Sequence, residues 1–320
     1  MDILLVGGLM QIAEAQATFH PRLKDFVDHV NERPLLRGSA MNMEILARKY
    51  GDNYLAFAEE MLETAESLGF DSKGAYERYI MEYIRDLIRF QKNGTYNNGS
   101  FDEIRARIYD NDALMGETYL PGLLIAYGFT TLLHEKYKLF EQSFLPHIQE
   151  GMTGVEIGCG DGFFLWMLLR KLPELHVQGL DISPAAIEFT RKLLATKGYV
   201  EGENFTLGLG SIGERTAFAD GSQQWCILTE VIEHVADRFF TMQEITRFMA
   251  PGGLLFLATV KDSNHMDHIW NPSSPEEVAE LIESYGFTIE DRLVYVVKEE
   301  FKGLKDDAVG LAFVARKGNK

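Results

Sequence analysis

Three short stretches of the chain carry residue types and spacings suited to chemistry. The first is Val155-Glu156-Ile157-Gly158-Cys159-Gly160-Asp161-Gly162, followed by Phe163. Glycines at 158, 160 and 162 remove Cβ atoms, so the backbone can turn tightly and come close to a ligand. The stretch reads as a strand-to-helix turn, and the helix N-terminus that follows favours a carboxylate or a phosphate. The dinucleotide fingerprint G-x-G-x-x-G needs glycine where Phe163 stands, which disfavours NAD or FAD. The second stretch is Gly179-Leu180-Asp181-Ile182-Ser183, which puts Asp181 at the end of the next strand, 19 residues after Gly162. A carboxylate there can accept hydrogen bonds from both ribose hydroxyls of a nucleoside. The third is Thr229-Glu230-Val231-Ile232-Glu233-His234-Val235, at the exit of a fourth strand. Glu230, Glu233 and His234 are suited to taking a proton from an acceptor or to holding a cation. His234 is the first candidate for a general base, and His265 and His268, in Asn264-His265-Met266-Asp267-His268, come next. The site is read as metal-free, with Glu230, Glu233, His234 and His265 as the alternative ligand set.

These stretches need a scaffold that ends strands at one edge. From Gly151 onward, short apolar runs alternate with amphipathic helices. The pattern predicts strands over 155–157, 177–180, 205–209, 225–228, 254–260, 293–297 and 309–315. It predicts helices over 163–172, 184–196 and 239–249, and one more that ends at Gly286. Ser274, Pro275 and Glu277 read as N-cap, first helical position and third position of that last helix, a capping box. Alternating β and α units imply a largely parallel sheet covered on both faces. Residues 1–150 instead show helical stripes, such as Tyr76, Tyr79, Ile80, Tyr83, Ile84, Leu87 and Ile88. An Asn/Gly-rich loop over 92–100 interrupts them.

The glycine loop and the Asp181 segment resemble the first two motifs of the class I S-adenosylmethionine (SAM)-dependent methyltransferases, small-molecule type, over roughly residues 150–317. The resemblance implies a seven-stranded Rossmann-like α/β sheet, mostly parallel with one antiparallel strand, following an all-α N-terminal domain. It divides the chain into a helical lid, substrate or dimerisation domain over 1–148 and a SAM-binding domain over 149–320. It implies SAM as cofactor, with Gly158, Cys159, Gly160 and Gly162 around its methionine half and Glu156 supporting its amino group. Asp181 would hold the ribose and Ile182 would pack on the adenine. Ser211 and Ile212 follow the third strand, where the family often has an Asp that reads the adenine amine. Glu230 would lie beside the reactive methyl group. Two narrower resemblances share the Glu-x-x-Glu-His run: the ubiquinone-biosynthesis O-methyltransferases and the metal-using small-RNA 2′-O-methyltransferases. Methyl transfer to O, N or an activated C of a small metabolite or natural-product intermediate is the expected reaction. Metal-assisted RNA methylation and a non-catalytic SAM-binding adaptor are the alternatives.

Composition narrows the partners. The chain of 320 residues carries 31 Lys+Arg against 48 Asp+Glu, a net charge of −17. The excess is even, with 15 basic and 23 acidic residues over 1–150 and 16 and 25 over 151–320. An even acidic field repels phosphate backbones, so nucleic acid is a disfavoured partner and a small-molecule acceptor the expected one. Two cysteines, Cys159 and Cys226, argue against a disulfide scaffold. No basic n-region precedes an apolar stretch at the N-terminus, and the longest uncharged apolar run, 119–133, is too short to span a bilayer. A cytoplasmic protein without a membrane partner is expected, with a homodimer through the helical half as one option. The aromatics Tyr96, Phe101, Tyr109, Tyr119, Tyr127 and Phe129 belong to that half. Those near 92–100 and near Tyr119-Leu120-Pro121-Gly122 are expected to wall an acceptor pocket, together with the 261–272 loop and its Trp270.

Overall fold

A computed structural model describes residues 20–93, 99–263, 265–297, 299–301 and 304–319; Tyr96, most of the 92–100 loop and Asn264 lie outside them. The second half builds one seven-stranded sheet. Its strands are β1 (Gly154–Ile157), β2 (Val177–Asp181), β3 (Phe205–Leu209), β4 (Gln223–Thr229), β5 (Met249–Lys261), β6 (Phe287–Val296) and β9 (Val309–Lys317). The order across the sheet is β3-β2-β1-β4-β5-β9-β6, and β9 runs antiparallel to both neighbours while the other pairs are parallel. This is the mostly parallel sheet with one reversed strand that the resemblance implies. β1 is buried at all four positions, as a central strand covered on both faces must be.

Details differ from the sequence reading, beginning with β5, which starts at Met249 and not at 254. The strand expected over 293–297 begins at Phe287, because β9 zips it from Phe287↔Lys317 onward and stretches its register with a bulge between Ile289 and Asp291. Two short strands, β7 (Glu299–Phe301) and β8 (Leu304–Asp306), pair as a separate hairpin that the sequence pattern did not reveal.

Ahead of the sheet come α1 (Pro21–Asn31), α2 (Arg37–Tyr50), α3 (Asp52–Ser67), α4 (Ser72–Asn93), α5 (Leu120–Phe129) and α6 (Thr131–Leu139). Short turns join α4 to α5, and two of them, Arg105–Tyr109 and Met115–Tyr119, are π turns of the kind often found at functional sites. Helix α5 comes from the uncharged 119–133 run and is buried almost all round. It lies so close to α4 that a Cβ on Gly122 would fall 2.2 Å from Tyr79 Cβ. No helix among the described residues is long and apolar enough to cross a membrane.

The sheet-flanking helices are α7 (Phe163–Lys171), α8 (Pro184–Thr196), α9 (Arg238–Phe248) and α10 (Pro275–Ser284). Residues Phe163 to Leu169 of α7 are all buried, which a helix packed only on a sheet would not achieve. The helical half covers its outer side: Phe163 stacks on Tyr127 at 3.8 Å between ring centroids and meets Phe57 and Tyr137 edge-on. One hydrophobic core therefore runs from α1 through α7 and α8 to the sheet, while a second fills the α9–α10 face.

Candidate active site

The strand order reverses direction between β1 and β4, and the loops after these two strands open a crevice at their carboxyl ends. The glycine loop leaves β1 there. Gly158, Gly160 and Gly162 all take positive φ values of 70°, 49° and 76°, as the sequence predicts for a tight turn. Their surroundings differ. A Cβ on Gly158 would strike Val231 at 2.3 Å, and one on Gly162 would meet Thr190 at 2.9 Å, whereas Gly160 faces open space with nothing nearer than 3.8 Å.

One cavity collects most of the expected residues. Glu156, Gly158, Cys159, Gly160, Asp181, Ile182, Ser211, Ile212 and Glu230 line it, as do His234, His265 and His268. Gly162 does not. Its left-handed conformation closes the turn, with its N–H donating to the Cys159 carbonyl at 2.7 Å and its residue serving as N-cap of α7. Tyr79, Tyr83, Phe101, Tyr109, Tyr119, Leu120 and Tyr127 of the helical half form the opposite wall. The expected break at 119–120 and the aromatics Phe101, Tyr109, Tyr119 and Tyr127 thus reach the cavity. Phe129 does not: it stacks on Phe26 in the core at 4.2 Å. Trp270 likewise packs against the α9–α10 core, under the Arg238 guanidinium, instead of walling the cavity.

The donor side of the cavity is acidic. Asp181 accepts from the Gly160 N–H at 2.9 Å and the Ser183 N–H at 2.8 Å, so its carboxylate braces the glycine loop. Glu156 is 2% exposed and its Oε2 has no partner. Burial, with Asp161 and Asp181 nearby, pushes its carboxyl far above the ordinary range. An unpartnered buried carboxyl is costly unless something else satisfies it. Asp161, which the sequence reading passed over, is buried too; burial raises its carboxyl to about 7, and its Oδ2 also has no partner. Two orphaned carboxyl oxygens beside an open glycine fit a ligand that carries an ammonium or hydroxyl groups.

The Glu-His cluster sits at the other end. Glu230 follows β4 with φ +52°, a left-handed conformation uncommon for a residue with a side chain. Its Oε1 accepts from the Lys136 ammonium of α6 at 2.5 Å. Glu233 is wholly buried, neither carboxyl oxygen has a hydrogen-bond partner although Oε1 lies 4.0 Å from His234 Nε2, and burial and Glu230 raise it to about 7. His234 Nδ1 lies 3.1 Å from the Asp267 carbonyl and 3.5 Å from Asp267 Oδ2. Burial alone would lower the His234 imidazole, but the Asp267 and Glu233 carboxylates outweigh it and its pKa is raised. Asp267 is held down to about 2, as the three histidines around it outweigh its burial. Burial, then the neighbouring His234, drives His268 well below the usual imidazole value.

The helical half fixes the loop that carries Asp267 and His268. The Tyr109 hydroxyl donates to Asp267 Oδ2 at 3.0 Å, Arg107 donates to the Met266 carbonyl at 2.8 Å, and the Met266 N–H donates to Asp86 at 3.0 Å. From the sheet half, the Ile269 and Trp270 N–H groups donate to the Glu233 carbonyl. His265 lies among the rings of Tyr79, Tyr83 and Tyr119. Among the described residues, Glu233, His234 and His268 offer ligand atoms within 4.8 Å of one another. A cation-binding set would therefore use His268 where the sequence reading named Glu230 and His265: Glu230 is committed to Lys136, and His265 to the tyrosines.

Residues 155–255 match the profile of a family described as a methyltransferase domain. Trans-aconitate 2-methyltransferase of Rhodopseudomonas palustris (strain BisA53) is 27% identical over 115 residues, 36% of this chain and 41% of that protein. Ubiquinone biosynthesis O-methyltransferase of Methylobacterium sp. (strain 4-46) is 25% identical over 195 residues, 54% of this chain and 75% of that protein. The chain thus spans less than half of the first relative's length. A solved structure of geranyl diphosphate methyltransferase in complex with GPP and sinefungin is 16% identical and covers 73% of this chain and 98% of that one, with a TM-score of 0.49.

Proposed function

We propose a reaction on the premise that the sheet half of this chain is a class I SAM-dependent methyltransferase domain: transfer of a methyl group to an oxygen, nitrogen or activated carbon of a small molecule. The carrying observation is that one cavity is lined both by the glycine loop with Glu156, Asp181 and Glu230 and by His234 under a roof of tyrosines. SAM, held there, would supply a methyl group on a positively charged sulfur. Glu156 and Asp161 suit its ammonium, since each has a buried carboxyl oxygen in want of a donor. Asp181 suits its ribose, and the open face of Gly160 leaves room for its backbone-hugging methionine half.

The chain's own groups then have three tasks. The tyrosine wall excludes water and orients the acceptor, and proximity and orientation supply most of the rate in such a displacement. The Asp267 carbonyl fixes the His234 ring through Nδ1, which directs Nε2 to act as base on an acceptor hydroxyl or acidic C–H. The Asp267 carboxylate steadies the imidazolium that forms. S-adenosylhomocysteine (SAH) should bind to the wild type and to His234→Ala alike in calorimetry. Transfer of labelled methyl from SAM to an acceptor library should fall by roughly 10²–10⁴-fold in His234→Ala. Undiminished transfer would remove His234 from this role, and labelling of no acceptor would favour a SAM-binding adaptor.

A second reading rests on the orphaned Glu233 oxygens: Glu233, His234 and His268 would hold a divalent cation, and two imidazoles with one carboxylate suit a first-row transition metal. Elemental analysis of the purified protein separates the two readings. Stoichiometric metal, lost in His268→Ala, favours the cation, and metal-free active protein favours the base.

A further inference from the structure

Lys136 is 2% exposed, yet it is a charged residue of the helical half paired with Glu230 of the sheet half. Its stem crosses β9 at Gly310, where a Cβ would come within 3.3 Å of Lys136 Cε and 3.1 Å of Leu132 Cγ, so the absence of a side chain at 310 makes its passage. Its ammonium meets Glu230 at 2.5 Å, across 94 residues of sequence. It does not itself line the cavity, whereas Glu230 does, together with Val231, which packs against Gly158 of the glycine loop. Glu230 also keeps a costly left-handed backbone, a strain retained where the surroundings enforce it. A buried lysine is expensive to desolvate, and among the described residues this carboxylate is the group its ammonium bonds.

We infer that Lys136 is a positioning residue that neutralises Glu230, so that the cavity does not over-stabilise the positive sulfur of the methyl donor; the inference rests on the cavity being the SAM site. In methyl transfer the electron pair of the breaking S–C bond returns to sulfur, and the charge on sulfur disappears as the acceptor's lone pair makes the new bond. An unpaired carboxylate beside that sulfur stabilises the ground state more than the transition state, which tightens binding and slows chemistry. A cation fixed on the far side of the carboxylate offsets this bias.

The test compares SAM with SAH, which differ by the methyl group and the charge on sulfur, and it requires no acceptor. Calorimetric dissociation constants for both ligands are measured on the wild type, Lys136→Met, Glu230→Gln, the double variant and Lys136→Arg. Lys136→Met should shift the preference toward SAM on the order of tenfold, the size of a single unscreened charge near the sulfur. Glu230→Gln, which leaves the lysine unpaired, should shift it toward SAH. The double variant and Lys136→Arg should return the preference to near the wild-type ratio. A purely structural pair would weaken both ligands in parallel and leave the ratio fixed, and that result overturns the inference. If Lys136→Met does not fold, an unchanged ratio in Glu230→Gln overturns it equally. Failure of the wild type to bind either ligand sinks the SAM reading itself, a different outcome from binding with an unmoved ratio.

Discussion

The helical half and the sheet half both face the cavity, but their residues got there by different routes. The donor-side residues of the sheet half stand at strand ends: Gly158 and Gly160 after β1, Asp181 at the end of β2, Glu230 after β4. The helical-half residues stand anywhere along helices or turns: Tyr79 and Tyr127 inside α4 and α5, Tyr109 at the end of a π turn, and Lys136, behind the cavity wall, inside α6. Position along an element identifies a site residue in an α/β sheet, where ligands gather at the carboxyl ends, and says nothing in a helical array. The two halves nonetheless share a core, joined at Phe163, the residue that takes the place of a fingerprint glycine. Phe163 is wholly buried against Tyr127, Tyr137 and Phe57. Phe163→Ala should lower stability by about 4 kcal/mol in denaturant titration, with fluorescence and far-UV dichroism moving together. Two separated transitions in the wild type would mean that the halves fold independently and that Phe163 is no joint.

The halves should also part under acid. His134 of α6 is buried among Tyr50, Tyr54, Phe57 and Tyr137, and burial lowers its imidazole to about 4. In the unfolded chain an imidazole takes its proton near pH 6.5. Between those values the unfolded state binds a proton that the folded state refuses, so stability present above pH 6.5 drains away toward pH 4, by about 3 kcal/mol at most. The sheet half has an element that responds only at lower pH in Glu244, which Arg247 and Thr216 hold down to about 2. Its contribution is intact above the ordinary glutamate value and fades only as the pH falls toward 2. Stability measured at pH 7, 5.5 and 4.5 should therefore fall in the wild type and stay flatter in His134→Phe. A fall of the same steepness in both would assign the acid sensitivity elsewhere.

This contrast also explains what could be read from the sequence. The alternation of strands and helices and the glycine–Asp181 pair were legible because short apolar runs and glycines at a turn are local signals, whereas the reversed strand came only from the family resemblance and the strand order from the structure. Tyr76 and Tyr79 show why the other half was not. They share one helical stripe, yet Tyr76 is fully buried and bonded to Ser39 while Tyr79 borders the cavity. A tyrosine at helical spacing looks the same whether it fills a core or walls a site. Lys136 gave no signal at all, because its partner lies 94 residues away and its burial depends on a glycine in β9. Asp161 sits between the motif's glycines, where sequence alone does not distinguish a turn residue from a buried one, and it is burial that gives it a carboxyl near neutral.

Two glycines, one in each half, carry smaller energies. Gly122→Ala, in the helical half, drives a methyl into Tyr79 and should cost about 2 kcal/mol, with SAH affinity little changed in the folded fraction. Gly160→Ala, in the sheet half, meets open space and should cost only about 1 kcal/mol for its left-handed backbone, while its methyl intrudes on the cavity and weakens SAH in calorimetry. Equal effects on stability and on affinity in both variants would erase the distinction between a packing glycine and a binding one.

The smallest effect expected is at the start of α10, where local sequence came within one residue of the arrangement. Ser274 caps as predicted, its Oγ accepting from the Glu277 N–H at 3.3 Å. The return bond departs from the predicted box: the Glu277 carboxylate accepts from the N–H and the hydroxyl of Ser273, at 2.6 and 2.8 Å, and not from Ser274. Two adjacent serines before Pro275 offer the same atoms, and only the direction in which the chain enters the helix selects between them. Ser274→Ala deletes the acceptor of a helix N–H and should cost about 1 kcal/mol. Ser273→Ala keeps the stronger N–H bond to Glu277 and loses an exposed hydroxyl contact, so it should cost less, about 0.5 kcal/mol. Thermal unfolding of the two alanine variants ranks them, and a larger loss for Ser273→Ala would put the cap on the wrong serine.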